Sequence, residues 1–194
     1  SFGKITRCQS SNYHSGALGG WFDSRPNDPA HDWRWMADPK VSGCGAYGDL
    51  GTHVLDIMLW VLGEVDSVTA SINSGTGRYG DCDETGEGIL KFKNGAVGTL
   101  AAAWDDLSDP VSFQVSGTEG YAAIIQGNLH FQSKKAGFDG SQPVRKSEMS
   151  APLPHAFELF LDAIGGQKNL PLVTAKEAAY RSVVLDALYS GSAK

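Results

Sequence analysis

Hydrophobic and polar positions divide this chain into strands, one strongly apolar helix and two closing helices. Residues 3–12 alternate, with Ile5, Arg7 and Gln9 on one face and Lys4, Thr6 and Cys8 on the other, which predicts a strand whose faces are both mixed. From 11 to 44, Gly, Pro, Asp, Asn and Trp accumulate without a period. That is a loop of over thirty residues, far longer than most connections and of the kind that carries function. Residues 49–62 then bring Leu, Ile, Met and Val around most of a helical circumference, so this helix is expected to be buried on nearly all sides. Gly63 stands where a helix takes a left-handed stop.

Alternation returns at 64–73, followed by a glycine-rich turn at 74–83. Segments 84–92 and 96–104 flank Asn94-Gly95, a strong hairpin signal. Strands are predicted at 111–115 and 121–125 and a shorter one at 128–132, with 134–154 an irregular polar excursion. Phe157, Phe160, Leu161 and Ile164 form one stripe of a helix over 155–164, ended by Gly165-Gly166. Thr174 and Glu177 make a capping box for a last helix running toward Tyr189, with Val183, Val184, Ala187 and Leu188 as its buried side. Strands segregated from helices indicate an α+β fold, an open, mainly antiparallel β-sheet with helices on one face. Its other face would be available for self-association. One domain, 1–194, accommodates all of it.

The chemistry concentrates on the apolar helix. Asp49, His53 and Asp56 follow steps of four and three residues, which align them on one face. An unpaired buried polar group costs roughly 1–3 kcal/mol, so such a stripe needs a use. Histidine suits acid/base work because its ordinary pKa, about 6.5, lies near working pH. The same residues could serve structure alone, Asp49 as a helix cap and His53 as a satisfied core histidine. A metal centre is disfavoured, since Asp-x3-His-x2-Asp offers at most three mixed ligands and no second cluster completes a shell.

The run Gly43-x-Gly45-x3-Asp49-x-Gly51-x-His53-x2-Asp56, continued by Trp60 and Leu62-Gly63, resembles the signature of the glucose–fructose oxidoreductase/inositol dehydrogenase (Gfo/Idh/MocA) family in its C-terminal domain. Cys44 and Tyr47 depart from the usual glycine and aliphatic residue, and the turns at 91–96 and 117–120 are also similar to the family's. The resemblance implies the same α+β fold and sheet-mediated homodimers or homotetramers. It also implies an NAD(P)-dependent oxidoreductase acting on a sugar, polyol or related hydroxylated small molecule. His53 would be the acid/base and Asp49 its partner or a hydroxyl ligand, with Asp56 behind them. Tyr47, Trp33, Arg34, Trp35 and His155 would border the substrate. NAD or NADP would be bound mainly by an N-terminal dinucleotide-binding domain. No G-x-G-x-x-G between strand and helix occurs here, so the chain is expected to be the C-terminal domain alone, inactive by itself. The same resemblance admits an NAD-dependent glycosidase working by transient oxidation. A non-catalytic ligand-binding or assembly domain is the third reading.

Charge and cysteines narrow the setting. Sixteen Lys and Arg against 22 Asp and Glu give a net charge of -6, with the basic residues scattered. That argues against a nucleic-acid or anionic-membrane surface. The longest apolar run is broken by Asp56 and too short to span a bilayer. Cys8, Cys44 and Cys82 are an odd number without metal-site or redox spacing. A reduced, cytoplasmic location is expected, with export an option because the resembled family has exported members.

Overall fold

The alternating segments become an eight-stranded sheet in the computed structural model, which describes residues 1–25 and 27–192. Pro26, inside the expected loop, and the last two residues lie outside the described part. In chain order come β1 (Ile5–Tyr13), the one-turn α1 (Pro39–Ser42), α2 (Ala46–Leu62), β2 (Val65–Asn73), β3 (Thr85–Phe92), β4 (Val97–Ala103) and β5 (Val111–Gly117). β6 (Gly120–Ile125), β7 (Asn128–Ser133), β8 (Phe138–Pro143), α3 (Ala156–Ile164) and α4 (Ala175–Ser190) follow. Across the sheet the order is β2-β3-β4-β1-β5-β6-β7-β8. β1 runs parallel to β4, and the other neighbours are antiparallel. The fold is thus the expected open, mainly antiparallel α+β sheet.

The core lies between one sheet face and two helices. α2 packs on β4, β1 and β3, while α4 packs on β2 and α2. Leu90, Phe92 and Leu100 meet Val54, Leu55, Met58 and Leu62 of α2, and Val184 and Leu188 of α4. Gly48 and Gly51 inside α2 each weaken it by about 1 kcal/mol relative to alanine. Burying Leu55 and Met58 completely contributes about 1.5–3 kcal/mol each, so packing outweighs propensity. The opposite sheet face is open and carries Ile89, Lys91, Thr99, Val97, Arg7 and Gln9 in register.

Five expectations need correction. α2 is not buried all round: Ile57 and Trp60 are exposed, Trp60 by 81%. The sheet covers one side only, so the Asp49-His53-Asp56 stripe belongs to the uncovered side. The excursion at 134–154 contains the edge strand β8, joined to β7. The stripe on α3 is real but unpartnered, since Phe157, Phe160, Leu161 and Ile164 are all exposed and Leu159 is that helix's buried residue. On α4, Val183 and Ala187 face outward, and Val184 and Leu188, one turn apart, are the buried pair. The long loop is not featureless either. It holds α1 and two 3-10 turns, Pro29–His31 and Arg34–Ala37.

Candidate active site

The start of α2 is set from elsewhere in the chain. Its N-cap, Gly45, has no side chain to offer, and the carboxylate of Asp83 supplies the missing acceptors. Asp83 Oδ1 accepts from the Gly45 amide at 3.0 Å and Oδ2 from the Tyr47 amide at 2.7 Å. Its main-chain carbonyl accepts from the Ala46 amide at 2.9 Å. The Tyr189 hydroxyl of α4 donates to the same carboxylate at 3.1 Å. A Cβ on Gly45 would lie 2.3 Å from the Asp83 carbonyl oxygen, so this approach needs glycine. Burial pushes the Asp83 carboxyl above its ordinary range, with the amide and tyrosine hydrogen bonds pulling the other way. Asp83 thereby fixes where the helix begins, three residues before the expected start.

One turn into α2, Asp49 is half-buried, and Trp104 donates its indole N–H to Oδ2 at 3.2 Å. His53 is the next residue along the stripe, exposed and without a hydrogen-bond partner among the described residues. Asp56 turns to α4, where Arg181 donates to it through Nε at 3.0 Å and through Nη2. The stripe therefore splits. Asp49 and His53 stay open to a ligand, whereas Asp56 ties two helices together.

The other expected residues scatter. Tyr47 is a core residue, fully buried, because Gly86 and Gly88 of β3 leave the sheet bare beneath its ring. Its hydroxyl reaches the Leu100 carbonyl at 3.5 Å and its ring meets Tyr189 edge-on, so it does not border an open pocket. His155 caps α3, its Nδ1 accepting from the Phe157 amide at 3.2 Å, and its partners among the described residues are on that helix. Arg34 is engaged by Asp32, with Nε 2.8 Å from Oδ1. Trp35 is exposed. Trp33 lines a cavity of about 230 Å³ with Trp21, Arg25 and His31. The tryptophans of this loop thus form a surface rather than packing into the core.

His14 is the residue that periodicity overlooked. β1 and β4 end side by side, with Tyr13 opposite Ala103, and the next residues are His14 and Trp104. The His14 ring stacks on Trp21 with centroids 4.8 Å apart and lies within 9° of parallel to Trp104 at 6.4 Å. Burial lowers its pKa from 6.5, while the charge of Asp49 acts in the opposite sense. A histidine two residues beyond a predicted strand is the available signal. Its meaning depended on the parallel pairing of β1 with β4, which no local pattern announces. Among the described residues, no group of three or more His, Cys, Asp and Glu is gathered as a metal ion would require. No described helix is long and apolar enough to cross a membrane.

A family description of the GFO/IDH/MocA C-terminal domain matches residues 2–123. The chain belongs to this family. The levoglucosan dehydrogenase of Pseudarthrobacter phenanthrenivorans, a relative in the same family, is 29% identical over 117 residues, 48% of this chain and 30% of that protein. Among solved structures, a levoglucosan dehydrogenase in complex with NADH and levoglucosan shares the GFO/IDH/MocA fold with a TM-score of 0.73 at 21% identity, over 98% of this chain and 57% of that one. An NAD-binding oxidoreductase from Klebsiella pneumoniae aligns with a TM-score of 0.73 at 17% identity, again over 98% and 57%. The aldose–aldose oxidoreductase of Caulobacter crescentus, complexed with glycerol, gives 0.72 at 19% identity, over 98% and 54%. This GFO/IDH/MocA chain spans little more than half the length of those structures, and these relatives are oxidoreductases.

Proposed function

We propose that this chain is the substrate-side domain of an NAD(P)-dependent oxidoreductase acting on a sugar, polyol or related hydroxylated small molecule. One observation carries the reading: on the open side of α2, a carboxylate fixed by Trp104 stands one turn from a histidine with no protein partner among the described residues. Oxidising an alcohol requires a hydroxyl proton to leave oxygen while hydride leaves carbon. An unpartnered imidazole beside a carboxylate with one oxygen unengaged is the donor–acceptor set that the proton and the hydroxyl need, so these residues fit a hydride-accepting cofactor. The nicotinamide cofactor, NAD or NADP, supplies the hydride acceptor when bound. Asp49 accepts a hydrogen bond from a substrate hydroxyl through Oδ1 and holds the carbinol carbon in line. His53 takes the hydroxyl proton in oxidation and returns it in reduction. Trp33, which shares a cavity with Trp21, would border the substrate.

In this reading an N-terminal dinucleotide-binding domain holds most of the cofactor, and this chain alone does not turn over. The apolar surface left bare here supports that arrangement. Ile57 and Trp60 beside His53, and the α3 stripe, would be covered by the cofactor domain. The open sheet face would join copies as a homodimer or homotetramer.

The test is a substrate screen of the intact protein with NAD⁺ and NADP⁺ over sugars and polyols, following reduced-cofactor absorbance. Oxidation of at least one polyhydroxylated compound is expected. Sugar release from glycosides without net reduced cofactor would replace this reading with the glycosidase one, and absence of any turnover would leave a binding domain.

A further inference from the structure

The parallel pairing of β1 with β4 delivers two side chains to the site rather than one. Trp104 follows β4 and fixes Asp49, while His14 follows β1 and packs against the same indole. The His14 ring is oriented by its neighbours. Its Nδ1 accepts from the Gly16 amide at 3.0 Å. A Cβ on Gly16 would lie 2.6 Å from Cε1 of the ring, so glycine there is what allows the imidazole to sit over its own turn. With Nδ1 committed as an acceptor, the neutral ring carries its proton on Nε2. Protonating Nδ1 would break the Gly16 bond, and burial also disfavours the charged ring. Nε2 has no protein partner among the described residues, and no buried polar side-chain atom there lacks a partner, so Nε2–H faces solvent. His14 is thus a fixed, neutral hydrogen-bond donor, stacked on a half-exposed tryptophan and close enough to feel the charge of Asp49.

We infer that His14 is a specificity-determining substrate contact, whose Nε2–H donates to a hydroxyl oxygen of a polyhydroxylated substrate while Asp49 accepts from a neighbouring hydroxyl. This rests on the oxidoreductase reading above and adds to it a preference for compounds carrying two hydroxyls within reach of both groups. Trp21 supplies an apolar face against which the C–H side of a sugar ring can lie, and the two polar groups select its orientation. A site built to donate to one hydroxyl discriminates against the analogue lacking it, because the donor is then left unpaired.

Two substitutions separate this role from a structural one. His14→Asn places an amide oxygen where Nδ1 accepts from Gly16 but has nothing at Nε2. His14→Gln places an amide N–H near Nε2. The intact protein, its Asp49→Asn variant and both His14 variants are assayed with NAD⁺ or NADP⁺ on levoglucosan, D-glucose and their monodeoxy analogues. His14→Asn is expected to lower kcat/KM about tenfold on the parent compound, mainly through KM, and to leave one monodeoxy analogue unaffected. His14→Gln should keep kcat/KM on the parent compound within about threefold of wild type. If His14→Asn matches wild type on every compound, if it loses equally on all analogues, or if His14→Gln fails on the parent compound, the inference is overturned. When Asp49→Asn abolishes turnover while His14→Asn does not matter, the role of His14 alone falls. If the wild type oxidises nothing in this panel or across the wider sugar and polyol screen, the oxidoreductase reading falls and His14's role with it.

Discussion

Trp104 holds Asp49: the indole N–H at the end of β4 donates to the carboxylate in the first turn of α2 across 3.2 Å. Trp104 is itself fully buried, with Phe22 against its ring at 4.3 Å. A residue just beyond the end of β4 thereby sets the position of a helix side chain. Replacing Trp104 by Phe keeps most of the packing and removes the donor. A hydrogen bond to a charged group contributes about 1.5–3 kcal/mol, so the intact protein should lose about tenfold or more in kcat/KM. Steady-state kinetics on whichever substrate the screen identifies checks this.

Gly45→Ala should destabilise the domain through the helix start. The new Cβ would meet the Asp83 carbonyl oxygen at 2.3 Å, and the clash falls on backbone that cannot rotate away. Overpacking of this kind costs about 1–3 kcal/mol. For a domain of this size that is a fall of roughly 3–10 °C in thermal midpoint, readable by circular dichroism.

The Asp83 clamp also explains what the sequence could not reveal about the helix. Periodicity located the apolar segment of α2, and the glycine at 63 marked its end correctly. Its start was misplaced because the cap comes from a residue 38 positions away. The hairpin at Asn94-Gly95 and the capping box at Thr174 were legible because each is closed by neighbours in sequence: Asn94 Oδ1 accepts from the Ala96 amide, and Thr174 Oγ1 from the Glu177 amide. β8 was not legible, since its single large apolar residue, Phe138, leaves no alternation to detect. Spacing alone aligns Asp49 and His53 on one helix face, whereas His14 comes near Asp49 only through the β1–β4 pairing.

Stability should respond to pH through His14. Its pKa is lowered in the folded chain, so the unfolded state binds the proton more tightly. Stability from this group is complete above the unfolded value of 6.5 and declines as pH falls from there toward the lowered folded value. Denaturant midpoints measured above and below 6.5 should therefore drop on acidification, and the drop should be smaller in His14→Gln. An equal drop in both proteins would show that other groups set the slope.

Ile89→Lys tests the proposed association. Ile89 is 47% exposed on the open sheet face, flanked in register by Thr69 and Thr99. A lysine there should change monomer stability by no more than about 0.5 kcal/mol. Light scattering of the intact protein should show a smaller assembly. An unchanged mass would remove this face as the interface.

Turnover by the intact His53→Ala protein tests whether His53 moves the substrate proton. General acid/base catalysis contributes about 10²–10⁴-fold, so kcat should fall by that order while cofactor affinity is kept. A kcat within about twofold of wild type would mean that another group carries the proton.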